Sequence, residues 1–112
     1  MKRIEAIIKP FKIDDVTEAL QELGVGGITA IEVRGFGRHN PNFEQYGGKE
    51  AAAELLPRLK IEVIAADGDV EKIVSAIEKA ANTGREGDGK IFVIPVEEVV
   101  RIRTGERGKK AL

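Results

Sequence analysis

The residues IEAI at positions 4–7 return 57 positions later as IEVI at positions 61–64, so Ile4, Glu5 and Ile7 fall on Ile61, Glu62 and Ile64. The register runs on past this short segment: Val16, Ala19 and Leu20 fall on Ile73, Ala76 and Ile77. A repeat that keeps step through a strand and then through a helical face marks two copies of one strand-helix unit. The first helix is expected over Ile13 to Leu23, with Val16, Ala19, Leu20 and Leu23 on one face. Asp14 and Asp15 stand early, where the macrodipole favours negative charge, and Gly24 ends the segment. The second helix is expected over Val70 to Ala81, carrying Val70, Ile73, Val74, Ile77 and Ala81, with Asp69 as its N-cap and Thr83-Gly84 as its stop.

A further strand follows each helix. Ile28 to Phe36 (ITAIEVRGF) alternates apolar and polar residues, whereas Lys90 to Val96 (KIFVIPV) is a nearly continuous apolar run of the kind expected for a buried strand. The order βαββαβ predicts an α+β, ferredoxin-like fold, with one antiparallel sheet and both helices on one face. On the first strand Ile4, Ala6 and Ile8 point one way and Arg3, Glu5 and Ile7 the other, so apolar residues occur on both faces. That pattern predicts association of copies through the sheet or its edges.

With 112 residues and 42% hydrophobic content, the chain fits a single domain, 1–112, with a modest core. Its 18 basic and 19 acidic residues give a formal net charge of -1, so no global field draws it to nucleic acid or to an anionic membrane. Cysteine is absent, which removes disulfides and thiolate ligands and fits a reducing compartment. The N-terminal apolar run is broken by Glu5 and Lys9, and no stretch approaches the roughly 18 apolar residues of a membrane span. A soluble, cytoplasmic domain without direct membrane insertion is expected.

The connection from Gly35 to Pro57 (GFGRHNPNFEQYGGKEAAAELLP) far exceeds the 2 to 5 residues a hairpin needs. Its first half lacks a hydrophobic period, while KEAAAELL, from Lys49, suits a helical turn. Long loops in compact domains more often carry function than not. Thr83 to Lys90 (TGREGDGK) resembles part of a Walker loop, but it follows a helix and opens a strand, and Ile91 stands where the hydroxyl would be. Gly87 and Gly89 still permit backbone N–H groups to converge on an anion, with Lys90 adding charge; the plain alternative is a helix-to-strand turn. In RIRTGE, Arg101 and Arg103 stand two apart on a stretch read as extended, which puts both guanidinium groups on one side to grip phosphate or to shield an edge. With Gly35-x-Gly37-Arg38, these segments are expected to converge on the phosphates of a nucleotide.

Four stretches, KRIEAIIKPFKIDDV, EVRGFGR, TGREGDGKIFVIPV and RIRTGE, together carry a full-length resemblance to the PII signal-transduction proteins, the trimeric nitrogen-regulatory sensors. The resemblance implies a homotrimer of ferredoxin-like subunits with ATP or ADP in each cleft between neighbours and Mg as an optional companion of ATP. It also implies that residues of about 37–55 form the T-loop, which docks on a protein target such as an ammonium channel or a metabolic enzyme. Carried over by position, one side of the nucleotide site comprises Ile7, Gly35, Gly37, Arg38, Ile64, Gly87, Asp88, Gly89 and Lys90. The neighbour supplies Gly27, Ile28, Thr29, Arg101 and Arg103. Ile7 and Ile64 are expected to flank the adenine, with Thr29 at its polar edge and the cations on the phosphates.

The chain departs from the family mainly in the loop. Ala51 stands where the uridylylated tyrosine is usual, so no modification is expected there; Lys49 replaces a phosphorylated serine, and Gly47 replaces an arginine that enters ammonium channels. Tyr46 reads as a packing or docking aromatic. His39 replaces the glutamine that helps organise the Mg-ATP and 2-oxoglutarate site, and Arg58 replaces the lysine that pairs with an oxoglutarate carboxylate. Arg58 keeps the charge, while His39 reads either as a solvated loop residue or as a retuned site for 2-oxoglutarate or another small anion. The alternative of a small nucleotide-hydrolysing or transferring enzyme lacks a rigidly held base or nucleophile, since the sole histidine, His39, is in the loop and the sole serine, Ser75, is on a helix. A regulatory protein is therefore expected, with slow ATP hydrolysis at most a side activity. An RNA-binding sheet is not expected either, because only Phe92 supplies an aromatic on the strands read as central.

Overall fold

The computed structural model describes residues 1–37 and 55–112. Strand β1 (Lys2–Ile8) leads through a short 3-10 turn at Pro10–Lys12 into helix α1 (Ile13–Glu22), which is followed by β2 (Thr29–Gly35). The second half repeats the plan with β3 (Leu56–Ala65), a 3-10 turn at Asp67–Asp69, α2 (Val70–Ala81) and β4 (Lys90–Pro95). The sheet order is β2-β3-β1-β4 and every neighbouring pair is antiparallel, which is the ferredoxin-like arrangement expected from the repeat.

The two duplicated strands pair with each other. Ile4 faces Val63 and Ala6 faces Ile61, while Glu5 directly opposes Glu62, its own counterpart in the repeat. An approximate two-fold axis therefore passes between these two carboxylates. Alternation along β1 and β3 sends Ile4, Ala6, Ile8, Ile61, Val63 and Ala65 to the helix side, where Val16 and Leu20 of α1 and Ile73, Ile77 and Ala81 of α2 complete the core. Burying each of the larger side chains stabilises the fold by about 1.5–3 kcal/mol before chain entropy is counted.

Several local expectations need correction. Asp69 holds the N-cap position of α2 but makes no capping hydrogen bond; the preceding 3-10 turn leads straight into the helix, and the Asp69 carboxylate pairs with Lys72 at 3.0 Å. Leu23 caps α1 rather than belonging to it, and is 37% exposed. Leu56, at the end of the stretch read as a helical turn, belongs to β3. The clearest correction concerns β4. Its apolar run is not buried within one chain, because β4 is an edge strand, beyond full cover from α2: Phe92 is 46% and Val93 45% exposed. RIRTGE is not extended either. It forms a turn closed by the Gly105 amide donating to the Arg101 carbonyl at 2.8 Å and flanked by a Val100–Arg107 bridge.

Among the described residues no helix is long and apolar enough to cross a membrane. The core assignment has a direct check. Ile4→Ala, at a fully buried position, is expected to lower unfolding free energy by about 2–5 kcal/mol, whereas Ile102→Ala, at a site 99% exposed, shifts it by less than about 0.5 kcal/mol in denaturant titrations.

Candidate functional site

The loop between α2 and β4 is built around one carboxylate. Asp88 accepts hydrogen bonds from the Thr83 amide at 2.8 Å, from the Thr83 hydroxyl and from the Gly84 amide at 3.1 Å. Lys9, just past β1, adds its ammonium 3.0 Å from the same carboxylate and 3.3 Å from the Thr83 hydroxyl. Hydrogen bonds from Thr83, with the Lys9 ammonium adding to them, hold Asp88 well below the usual carboxylate range. Asp88, read from the sequence as a ligand contact, is thus the internal anchor of its own loop.

Two glycines complete the cradle. Gly87 and Gly89 adopt φ of +87° and +102°, values that L side chains rarely take. A Cβ at Gly89 would also overlap the carbonyl of Ile7, so the loop lies directly against the β1 backbone. A Cβ at Gly87 would stand 3.3 Å from an Arg58 guanidinium nitrogen and 3.6 Å from the Lys9 Cε. Lys90 follows, exposed at the start of β4 opposite Ile7. The sheet therefore gathers Ile7, Arg58 and Gly87 to Lys90 at one end, together with Lys9. Gly35 and Gly37 leave β2 at this same end.

The other expected residues lie elsewhere. Gly27, Ile28, Thr29, Ile64 and Arg101 line a cavity of about 800 Å³ at the opposite end of the sheet. Ile64 thus keeps company with the second group, not with Ile7. The two side chains face the same side of the sheet, but Ile64 is level with Arg3, four positions from Ile7 and about 13 Å along the strands. The three cationic or glycine-rich segments do not converge within one chain. Arg103 is exposed in the turn next to Arg101. Arg38, His39, Tyr46, Gly47, Lys49 and Ala51 lie outside the described residues.

Two contributors escaped the sequence reading. Lys9 registered only as a charge interrupting an apolar run, yet it falls on Ala66 in the repeat, and that break in self-similarity is the signal that marks it. Glu62 lines the cavity beside Thr29, its β2 partner. Its identity with Glu5 hid this separate role.

The duplicated strand-helix halves, the open sheet face and the glycine-cornered loop define a ferredoxin-like domain. A family model described as nitrogen regulatory protein P-II matches residues 1–106. The chain is 60% identical to a nitrogen regulatory protein P-II of Azospirillum brasilense, 58% to one of Rhizobium meliloti and 52% to one of Microchaete diplosiphon, each across all of both chains. It belongs to the P-II family of signal-transduction regulators.

Two outcomes test the loop. Gly89→Ala is expected to destabilise the fold by more than about 2 kcal/mol, since left-handed strain and the Ile7 carbonyl oppose it together. Gly68→Ala, with open space around it, changes stability by under about 0.5 kcal/mol in the same thermal melts. Because the Asp88 pKa is lower folded than unfolded, its stabilisation is present above the ordinary carboxylate pKa and is lost as pH falls toward the folded value. Asp88→Asn should therefore melt below the unsubstituted protein at pH 7, with the gap narrowing below about pH 4.

Proposed function

We propose that this chain is a homotrimeric sensor of ATP and ADP that reports ligand state to a protein target through residues of about 37–55. The single observation that carries the reading is the separation of the two residue groups: the glycine cradle with Lys90 and Arg58 at one end of the sheet, and the cavity with Thr29, Ile64 and Arg101 at the other. Among the described residues the cradle has no slot for a base, and the cavity, though it has Arg101, has no glycine cradle of backbone amides. A neighbouring copy that brings its cavity against this chain's cradle supplies both.

In that arrangement the cradle amides and Lys90 meet the phosphates, and Arg101 and Arg103 of the neighbour approach from across the cleft. Ile7 covers one face of the adenine and the neighbour's Ile64 the other, while Thr29 and Glu62 offer polar atoms to its edge. This revises the expectation that Ile7 and Ile64 come from the same chain. Among the described residues no group of three or more carboxylate, histidine or cysteine side chains is gathered. Mg, as a companion of ATP, would be held chiefly by the phosphate oxygens.

Arg58 lies against the cradle, where it could take a carboxylate of 2-oxoglutarate or another small anion beside the nucleotide. Ala51 leaves the loop without a uridylylation site, so the output passes to an unmodified partner, an ammonium channel or a metabolic enzyme, in the cytoplasm. A transferase reading is less favoured: Ser75 is exposed on α2, apart from both groups. RNA binding fits poorly, since Phe92 shares its row on the open face with Glu5 and Glu62.

Calorimetry on the purified full-length chain decides the main reading. ATP and ADP should each bind saturably below millimolar concentration, one per chain, and Lys90→Ala should weaken ATP by about 10-fold. Absence of heat with either nucleotide at millimolar concentration refutes it. A following titration with 2-oxoglutarate in the presence of Mg-ATP reports whether His39 and Arg58 sustain a second effector.

A further inference from the structure

The two arginines of the closing turn are held differently. Arg103 projects into solvent with no ion pair among the described residues. The Arg101 guanidinium donates to the backbone oxygen of Leu112 at 2.9 Å and reaches the Glu106 carboxylate at 3.5 Å. The segment that supplies the first acceptor is tied down at its start, where the Gly108 amide donates to the Val99 carbonyl at 2.9 Å, and is folded on itself by the Leu112 amide donating to the Lys109 carbonyl at 3.3 Å. Lys109, Ala111 and Leu112 also form part of the wall of the 800 Å³ cavity that holds Ile28, Thr29 and Ile64.

We propose that residues 108–112 act as a built-in competitor for Arg101, holding its guanidinium through the Leu112 oxygen and giving it up when an anionic ligand takes it. The inference rests on the nucleotide reading above. The Leu112 oxygen takes one guanidinium nitrogen only, whereas a phosphate engages the planar fork at two points with more charge, which is the stronger contact. The ligand therefore wins at saturation, and the segment holds Arg101 otherwise. The coupling is reciprocal: whatever factor the docked segment takes from ligand affinity, the ligand takes from docking. A second surface, remote from the 37–55 loop, would then change with nucleotide occupancy.

The intact chain gives the primary test by hydrogen exchange with and without saturating ATP. The amides of 108–112 should exchange about 3- to 10-fold faster with ATP bound, the range set by losing one hydrogen bond of ordinary net strength at a partly exposed site. Calorimetry then compares the full chain with one ending at residue 107, which should bind ATP about 3- to 10-fold more tightly. In an Arg101→Ala background the same shortening should change affinity by less than about 2-fold, because the contested group is gone. Unchanged or slowed exchange in 108–112 at ATP saturation overturns the proposal while leaving the sensor reading intact, as does weaker ATP binding by the shortened chain. Failure of ATP to bind at all overturns both. If the shortened chain does not fold, the exchange result on the intact chain decides alone.

Discussion

The antiparallel pairing of β1 with β3 is the constraint on which the rest of the molecule depends. It joins the two halves of a duplicated sequence at their most similar segments, and its register sends six apolar side chains to one side of the sheet. A slip of one residue would turn that set outward and dissolve the core shared with α1 and α2. The same pairing fixes where the ends of both strands lie. Ile7 and Lys9 are delivered to the corner where Gly89 can press against the β1 backbone, and Ile64 to the far end beside Thr29.

The sequence exposes this frame because duplication prints the same periodicities twice. Each half confirms the other: Val16 and Leu20 on α1 are answered by Ile73 and Ile77 on α2, and all four are buried. What periodicity could not reveal was neighbourhood. KIFVIPV has the composition of a central strand, but composition does not say whether a strand has one neighbour or two, and β4 has only β1. RIRTGE reads as extended until Gly105 is seen to reverse the chain with a φ of +73°.

The candidate site was legible in a different way. Its residue types stood out as glycines and cations in short motifs, and the resemblance to the P-II family named all of them but Lys9 and Glu62. Their grouping was not legible, since assigning Ile64 to the same side as Ile7 requires a distance and the one-dimensional pattern contains none. Asp88 shows the same limit. A carboxylate in a glycine-rich loop looks like a ligand contact, yet four donors from Thr83, Gly84 and Lys9 already surround it. The loop's shape is thereby set before any ligand arrives, which lowers the ordering entropy that binding would otherwise cost.

The approximate two-fold axis between Glu5 and Glu62 has a consequence for the open face. Symmetry there forces like against like, and two carboxylates opposed on neighbouring strands repel. Arg3 lies 3.1 Å from Glu5 and Lys60 3.9 Å from Glu62, so the repulsion is converted into a short seam of alternating sign across an otherwise apolar surface. The Arg3 Nε is buried with no hydrogen-bond partner among the described residues, so this seam keeps a donor in reserve. A surface of that kind works as a key as well as an adhesive. A body that covers it in the wrong register strands charge in a dry interface, and only one that continues the alternation can stay.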